Sequence, residues 1–158
     1  MKRFILCCAL SATFTAITQT KELPKDVNPN YDASLAADLG ADDYGMKNYF
    51  LVILKTGKNT TDDKEFVSKS FKGHMSNMEQ MVKEGKLILA GPLQQNDQAY
   101  RGIFVFDNVT NESEAHRLLQ TDPAIRSNLL DYDLYQWYGS AALVKYLSYS
   151  EKIWKVKP

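Results

Sequence analysis

This chain predicts an α+β domain with the element order β-α-β-β-α-β, on three observations. Four short apolar runs, Lys47–Thr56, Lys86–Ala90, Tyr100–Phe106 and Leu134–Tyr138, read as strands. Two amphipathic stretches, one ending at Glu84 and one at Gln120, read as helices that follow the first and third strands. Clusters of Gly, Pro, Asn and Asp punctuate the joints. At 158 residues the chain suits one domain with extensions.

The N-terminus comes first. Lys2 and Arg3 precede an apolar run from Phe4 to Phe14, and a polar segment begins at Gln19. That is the layout of a secretory signal peptide over residues 1–18, with Ala16 at −3 and Thr18 at −1 of the cleavage site. The alternative is an uncleaved anchor, for which the run is short. The expected location is periplasmic or secreted. Both cysteines, Cys7 and Cys8, fall inside this segment, so the mature chain is expected to contain none. Disulfides, thiolate metal sites and cysteine nucleophiles are thereby set aside.

Residues 19–45 hold Pro24, Pro29, Gly40 and Gly45 and read as a linker with a short helix, Ala33 to Leu39. The domain proper spans 46–139. Its first strand contains six consecutive apolar residues, Tyr49 to Leu54, the mark of a strand buried on both faces. Gly57 ends it. Asp62 or Asp63 caps the long helix, Lys64 to Glu84, with Glu65 favouring the helix dipole and Gly85 as its stop. The second strand, Lys86–Ala90, is closed by Gly91-Pro92, and 94–99 form a polar turn. In the third strand Ile103 and Val105 share one face, Phe104 and Phe106 the other. Thr110 or Asn111 caps the second helix, and Asp122-Pro123 punctuates the chain before the last strand, which ends at Gly139.

This order is the ferredoxin-like split βαβ arrangement, with two helices on one face of an antiparallel sheet. The other face is apolar and uncovered, with Tyr135, Trp137, Phe104 and the outer half of the first strand expected there. A bare apolar face predicts a partner, and the simplest is a second copy related by a two-fold axis. The C-terminal extension, 140–158, is apolar at Leu143, Val144, Leu147, Ile153 and Trp154. It is read either as wrapping that partner or as extending the sheet edge.

Charge narrows the function. Acidic and basic residues balance at 19 each, so no basic field attracts nucleic acid. No later stretch is apolar enough to span a bilayer, so no membrane contact is expected once the signal is removed. One residue stands out against this ordinary composition. On the helical wheel Val67, Phe71, Met75, Met78, Met81 and Val82 cluster, and His74 falls among them. A titratable ring on an apolar stripe needs a partner or a task. It is read either as a core histidine bonded to a backbone carbonyl or as a functional group. Asp122, taken alone, reads as a helix cap. Gly91 and Pro92 either let backbone approach a ligand or end a strand. Arg101, at the start of the third strand, either binds an anionic group or is solvated. His116 falls off the apolar side of its helix. No metal-ligand spacing, glycine-rich phosphate loop or nucleophile elbow occurs, so no metal and no cofactor are expected.

His74, then Glu84-Gly85-Lys86-Leu87, Ala90-Gly91-Pro92, Arg101-Gly102 and Asp122-Pro123, at these distances and on this order of strands, resemble the YCII-related family. The resemblance runs from about Gly45 to Trp137. It implies a dimeric α+β barrel of ferredoxin-like subunits and a cleft near the dimer interface that gathers His74 and Asp122. A carboxylate bonded to one ring nitrogen fixes the tautomer and leaves the other nitrogen to shuttle a proton. The reading is an exported small-molecule enzyme of lyase or isomerase type. His74 and Asp122 would be catalytic, and Gly91, Pro92 and Arg101 would contact substrate. The alternative is a non-catalytic periplasmic module that binds a small ligand, or a dimeric interaction module.

Overall fold

A computed structural model describes residues 28–156, and the predicted signal segment lies outside them. Within the unit that begins at Asp32, helix α1 (Ala33–Leu39) leads into four strands. These are β1 (Met46–Thr56), β2 (Leu87–Pro92), β3 (Tyr100–Phe106) and β4 (Leu130–Ser140). They form one sheet in the order β2-β3-β1-β4, with every neighbouring pair antiparallel. Helices α2 (Lys64–Lys83), α3 (Glu112–Leu119) and the single turn α4 (Pro123–Arg126) complete the ferredoxin-like domain.

The strand alternation splits the apolar residues into two layers. Phe50, Val52 and Leu54 of β1 join Leu87, Phe104, Phe106 and Leu130 under Met81, Ala115, Leu119 and Ile125 of the helices. Tyr49 and Val105 point the other way, together with Ile88. Ile88 does so because a bulge between Leu87 and Leu89 makes it the extra residue of β2.

Helix α2 is fixed at both ends. Asp63 accepts from the Glu65 and Phe66 amides at 3.0 Å. At the other end Gly85 adopts φ 67°, its N–H reaches the Val82 carbonyl, and the Lys86 N–H reaches the Met81 carbonyl. This pair of bonds is a Schellman motif. Helix α3 starts from Asn111, whose side chain accepts from the Glu114 amide. Glu114 reaches back to the Thr110 amide and hydroxyl and pairs with Lys86 at 2.8 Å. The Lys86 ammonium, with help from Thr110, pushes the Glu114 carboxyl down to about 2. Its stabilising contribution is therefore complete above the ordinary glutamate pKa and is lost as pH falls from there toward 2. Glu114→Gln is expected to flatten that part of the stability-versus-pH curve. Urea unfolding of both proteins between pH 5 and pH 2.5 checks it, and parallel curves would refute it.

Three expectations change. Strand β4 is longer than Leu134–Tyr138, because it pairs with β1 along all eleven residues and draws in polar Asp131 and Asp133. Asp133 is tied to Lys55 across the pair at 2.6 Å. The second strand runs past Ala90 through Gly91 and Pro92, opposite Ile103 and Gly102, and ends at Pro92. A proline is tolerated there because β2 is an edge strand. Phe104 faces the helices, fully buried, not the open face.

The face opposite the helices is not bare. After β4 the chain forms a 3-10 turn (Ala141–Tyr146) and helix α5 (Leu147–Ile153), and Leu143, Val144 and Leu147 pack on Tyr49, Ile88 and Val105. Tyr49 anchors this return: its hydroxyl donates to the Ser140 carbonyl at 3.0 Å and its ring lies 5.5 Å from that of Trp137. Burial, and then the Asp107 carboxylate, push the Tyr49 phenol up to about 12. The C-terminal extension covers its own sheet. Tyr135, at 51% exposure, stays outside that cover.

Candidate active site

The core-facing row of α2 is Ser70, His74 and Met81, with Met78 packed on the same cluster. Phe71, Met75 and Val82 lie to one side, partly exposed, so the helix is rotated from the stripe that hydrophobicity alone marks out. His74 is 9% exposed. Its ring lies over Phe104 of β3, centroids 5.9 Å apart and planes inclined by 21°, and meets Phe71 edge-on at 6.1 Å. These contacts hold the ring against the sheet.

The carboxylate arrives on α4. Gly73 precedes His74, and a Cβ placed on it would stand 2.7 Å from Pro123 Cγ. The missing side chain allows α4 to lie directly against α2. Asp122 is the N-cap of α4 and is fully buried. Its two oxygens have separate tasks. Oδ1 accepts from the Ala124 amide at 2.8 Å, and Oδ2 lies 2.5 Å from His74 Nδ1. The helix cap and the histidine partner, alternatives at the level of sequence, are one residue performing both.

An ionised carboxylate only accepts, so this contact assigns the ring proton to Nδ1. Nε2 has no hydrogen-bond partner among the described residues. Nor is it sealed: no buried side-chain nitrogen or oxygen among the described residues lacks a partner, so solvent reaches Nε2. One ring nitrogen is held and the other is open, as a proton shuttle requires.

The remaining sequence candidates lie at the β2–β3 margin. Ala90 sits opposite Phe104, and Gly91 follows it with nothing within 4 Å of where its side chain would be. Pro92 pairs with Gly102 at the strand end. Arg101 is the extra residue where the β1–β3 register jumps from Leu54–Gly102 to Lys55–Tyr100, and it is exposed. No hydrogen bond or ion pair among the described residues joins Gly91, Pro92 or Arg101 to the His74–Asp122 pair. His116 is exposed, with Nδ1 2.8 Å from the Tyr132 hydroxyl. Among the described residues no three His, Cys, Asp or Glu side chains converge as a metal would need. Sequence reasoning passed over Ser70, a buried hydroxyl one turn before His74. Its only signal was the four-residue spacing, and serine is common on helix surfaces.

No family model matches the chain, and no curated protein matches it. Among solved structures it is similar to 5-chloro-2-hydroxyhydroquinone dehydrochlorinase from Burkholderia phenoliruptrix AC1100, in complex with 2,5-dihydroxybenzoquinone. The identity is 16%, the match covers 56% of this chain and 92% of that one, and the TM-score is 0.39. The strand order, rather than this distant likeness, defines the fold.

Proposed function

We propose that this chain is an acid–base enzyme of lyase or isomerase type acting on a small organic molecule. His74 is the general acid and base, and Asp122 is its positioning residue. The observation that supports this most directly is the asymmetry of one imidazole, with Nδ1 bound at 2.5 Å and Nε2 unpartnered and reached by solvent. Nε2 takes a proton from the substrate and returns it elsewhere, and Asp122 stabilises the imidazolium in between. Gly91, Pro92 and Arg101 are proposed as outer substrate contacts. Membership of the YCII-related family belongs to the same proposal, on the motifs quoted above.

Diethyl pyrocarbonate tests this without knowledge of the substrate, because it acylates an accessible, unprotonated imidazole nitrogen. Peptide mapping of the native protein should find His74 modified on Nε2 as well as exposed His116. A His74 that resists until the chain is unfolded would remove the reading.

A cavity of about 460 Å³ favours a second reading, a small-ligand-binding module. It lies beside α2, between Met75, Met78 and Val82, the β2 residues Leu87 and Leu89, and Tyr146 of the extension. His74 does not line this cavity, so on this reading Met78→Ala would weaken ligand binding and His74→Ala would not.

Export and self-association are proposed as well. Export rests on residues 1–18, and a mature protein beginning at Gln19, by intact mass, supports it. A homodimer is proposed through the part of the sheet face that the extension leaves uncovered, around Tyr135. A monodisperse monomer by light scattering at micromolar concentration would remove it.

A further inference from the structure

We propose that Ser70 is a second functional group of this site and that the substrate is an enolisable carbonyl compound with a flat apolar body. The inference rests on the acid–base reading above. Ser70 lies four residues before His74, so their Cβ atoms sit on one face of α2, about 5–6 Å apart. It is 6% exposed. A buried helix serine ordinarily satisfies its hydroxyl on the carbonyl one turn back or on a neighbour. Ser70 does neither: its Oγ makes no hydrogen bond with any described residue. It is not sealed either, since no sealed side-chain oxygen among the described residues is without a partner.

The same two facts hold for His74 Nε2. Two polar atoms with free valences therefore occupy one side of one helix, a turn apart, with Phe71 and Phe104 against the His74 ring. One is a basic lone pair, the other an O–H donor. This complement suits a carbonyl and the C–H beside it. With the carbonyl oxygen on Ser70, the adjacent C–H faces Nε2. The C–H bond breaks and its proton goes to Nε2. The electron pair forms a carbon–carbon double bond and displaces the carbonyl pair onto oxygen, where the Ser70 hydroxyl donates to the enolate. The imidazolium, balanced by Asp122, then returns the proton to the same or a conjugated carbon. The net change is a proton shift and needs no co-reactant. The partly exposed Phe71 ring, edge-on to His74, suits a substrate with a planar apolar portion.

Phenylacetone is the probe. Deuterium uptake at its methylene group, followed by proton NMR in D2O, should be faster with the full-length protein than in buffer alone. Ser70→Ala should lower kcat about 100-fold with KM little changed, the loss typical of one oxyanion donor. Ser70→Thr, which keeps a hydroxyl, should recover part of it, and His74→Ala should abolish uptake. Near-UV circular dichroism matching wild type establishes that each variant is folded. A Ser70→Ala protein as fast as wild type, with His74→Ala inactive, would overturn the role of Ser70 and leave the acid–base reading in place. No uptake above buffer with wild type would overturn the carbonyl assignment, while acylation of His74 judges the acid–base reading separately.

Discussion

Asp122→Asn is expected to leave the chain folded and to lower turnover by on the order of 10³–10⁴-fold. The reason lies in the two oxygens of one carboxylate. Oδ1 accepts from the Ala124 amide and Oδ2 meets His74 Nδ1. Asparagine has a single acceptor oxygen and an NH2 that only donates. If the oxygen keeps the α4 cap, the NH2 faces His74 Nδ1, which must then accept, and the ring proton moves to Nε2. The open nitrogen then carries a proton and no lone pair, and cannot act as a base. If the amide flips to serve the histidine, the NH2 opposes the Ala124 N–H and the cap is lost, at a cost of about 1 kcal/mol. Long-range 1H–15N correlation spectra read the tautomer directly. The expected result is Nδ1–H in the wild type and Nε2–H in the variant, with deuterium uptake into the phenylacetone methylene lost alongside. A variant that keeps Nδ1–H and full activity would reduce Asp122 to a helix cap.

Asp122→Ala separates structure from chemistry. It strands the His74 Nδ1–H and the Ala124 amide together in a buried place, so it should cost about 3 kcal/mol or more in stability. Activity lost with asparagine while stability is nearly kept, and both lost with alanine, is the pattern of a residue with two tasks.

The parts legible in the sequence were those written in local chemistry. The run Tyr49–Leu54 announced a central strand, and Asp63 and Gly85 marked the ends of α2, because caps and terminators act through neighbouring residues. His74 stood out because a polar ring is unusual on an apolar stripe. What failed to show was set by tertiary partners. Asp131 to Asp133 fell outside the predicted strand because acidic residues carry no strand signal, and only their pairing with β1 draws them in. The sequence pattern ends the second strand at Ala90, two residues short of Pro92, because nothing local says that β2 is an edge strand that can pair through a proline. Apolar residues at 143–147 carry no address, so their packing on Tyr49 and Val105 was open. Ser70 went unnoticed because a serine on a helix is ordinarily solvated, and only the rotation of α2 turns it inward. For Asp122 the local reading as a cap was correct, and it concealed the longer-range contact made by the second oxygen.

Gly73 tests whether the site depends on how closely the two helices approach. Glycine inside a helix costs about 1 kcal/mol relative to alanine, so its place in the middle of α2 needs a reason. The reason on hand is Pro123: an added Cβ would lie 2.7 Å from its Cγ and 3.2 Å from its Cβ, whereas carbon atoms rest at about 3.5–4 Å. Gly73→Ala must therefore move α4 by nearly 1 Å, and Asp122, as its N-cap, moves with it. A contact of 2.5 Å stretched by that amount is a weak hydrogen bond. The helix propensity gained by alanine offsets much of the strain, so the melting temperature should change little. Activity should nevertheless fall by more than tenfold, since misplacement of about 1 Å at a catalytic group is costly. Gly73→Leu should push further, costing about 2–3 kcal/mol and erasing the Nδ1–H signature of His74. Thermal unfolding measured beside the histidine spectra decides between the two effects. An alanine variant with native spectra and full activity would mean that α4 yields without carrying Asp122 away, and that the glycine serves packing alone.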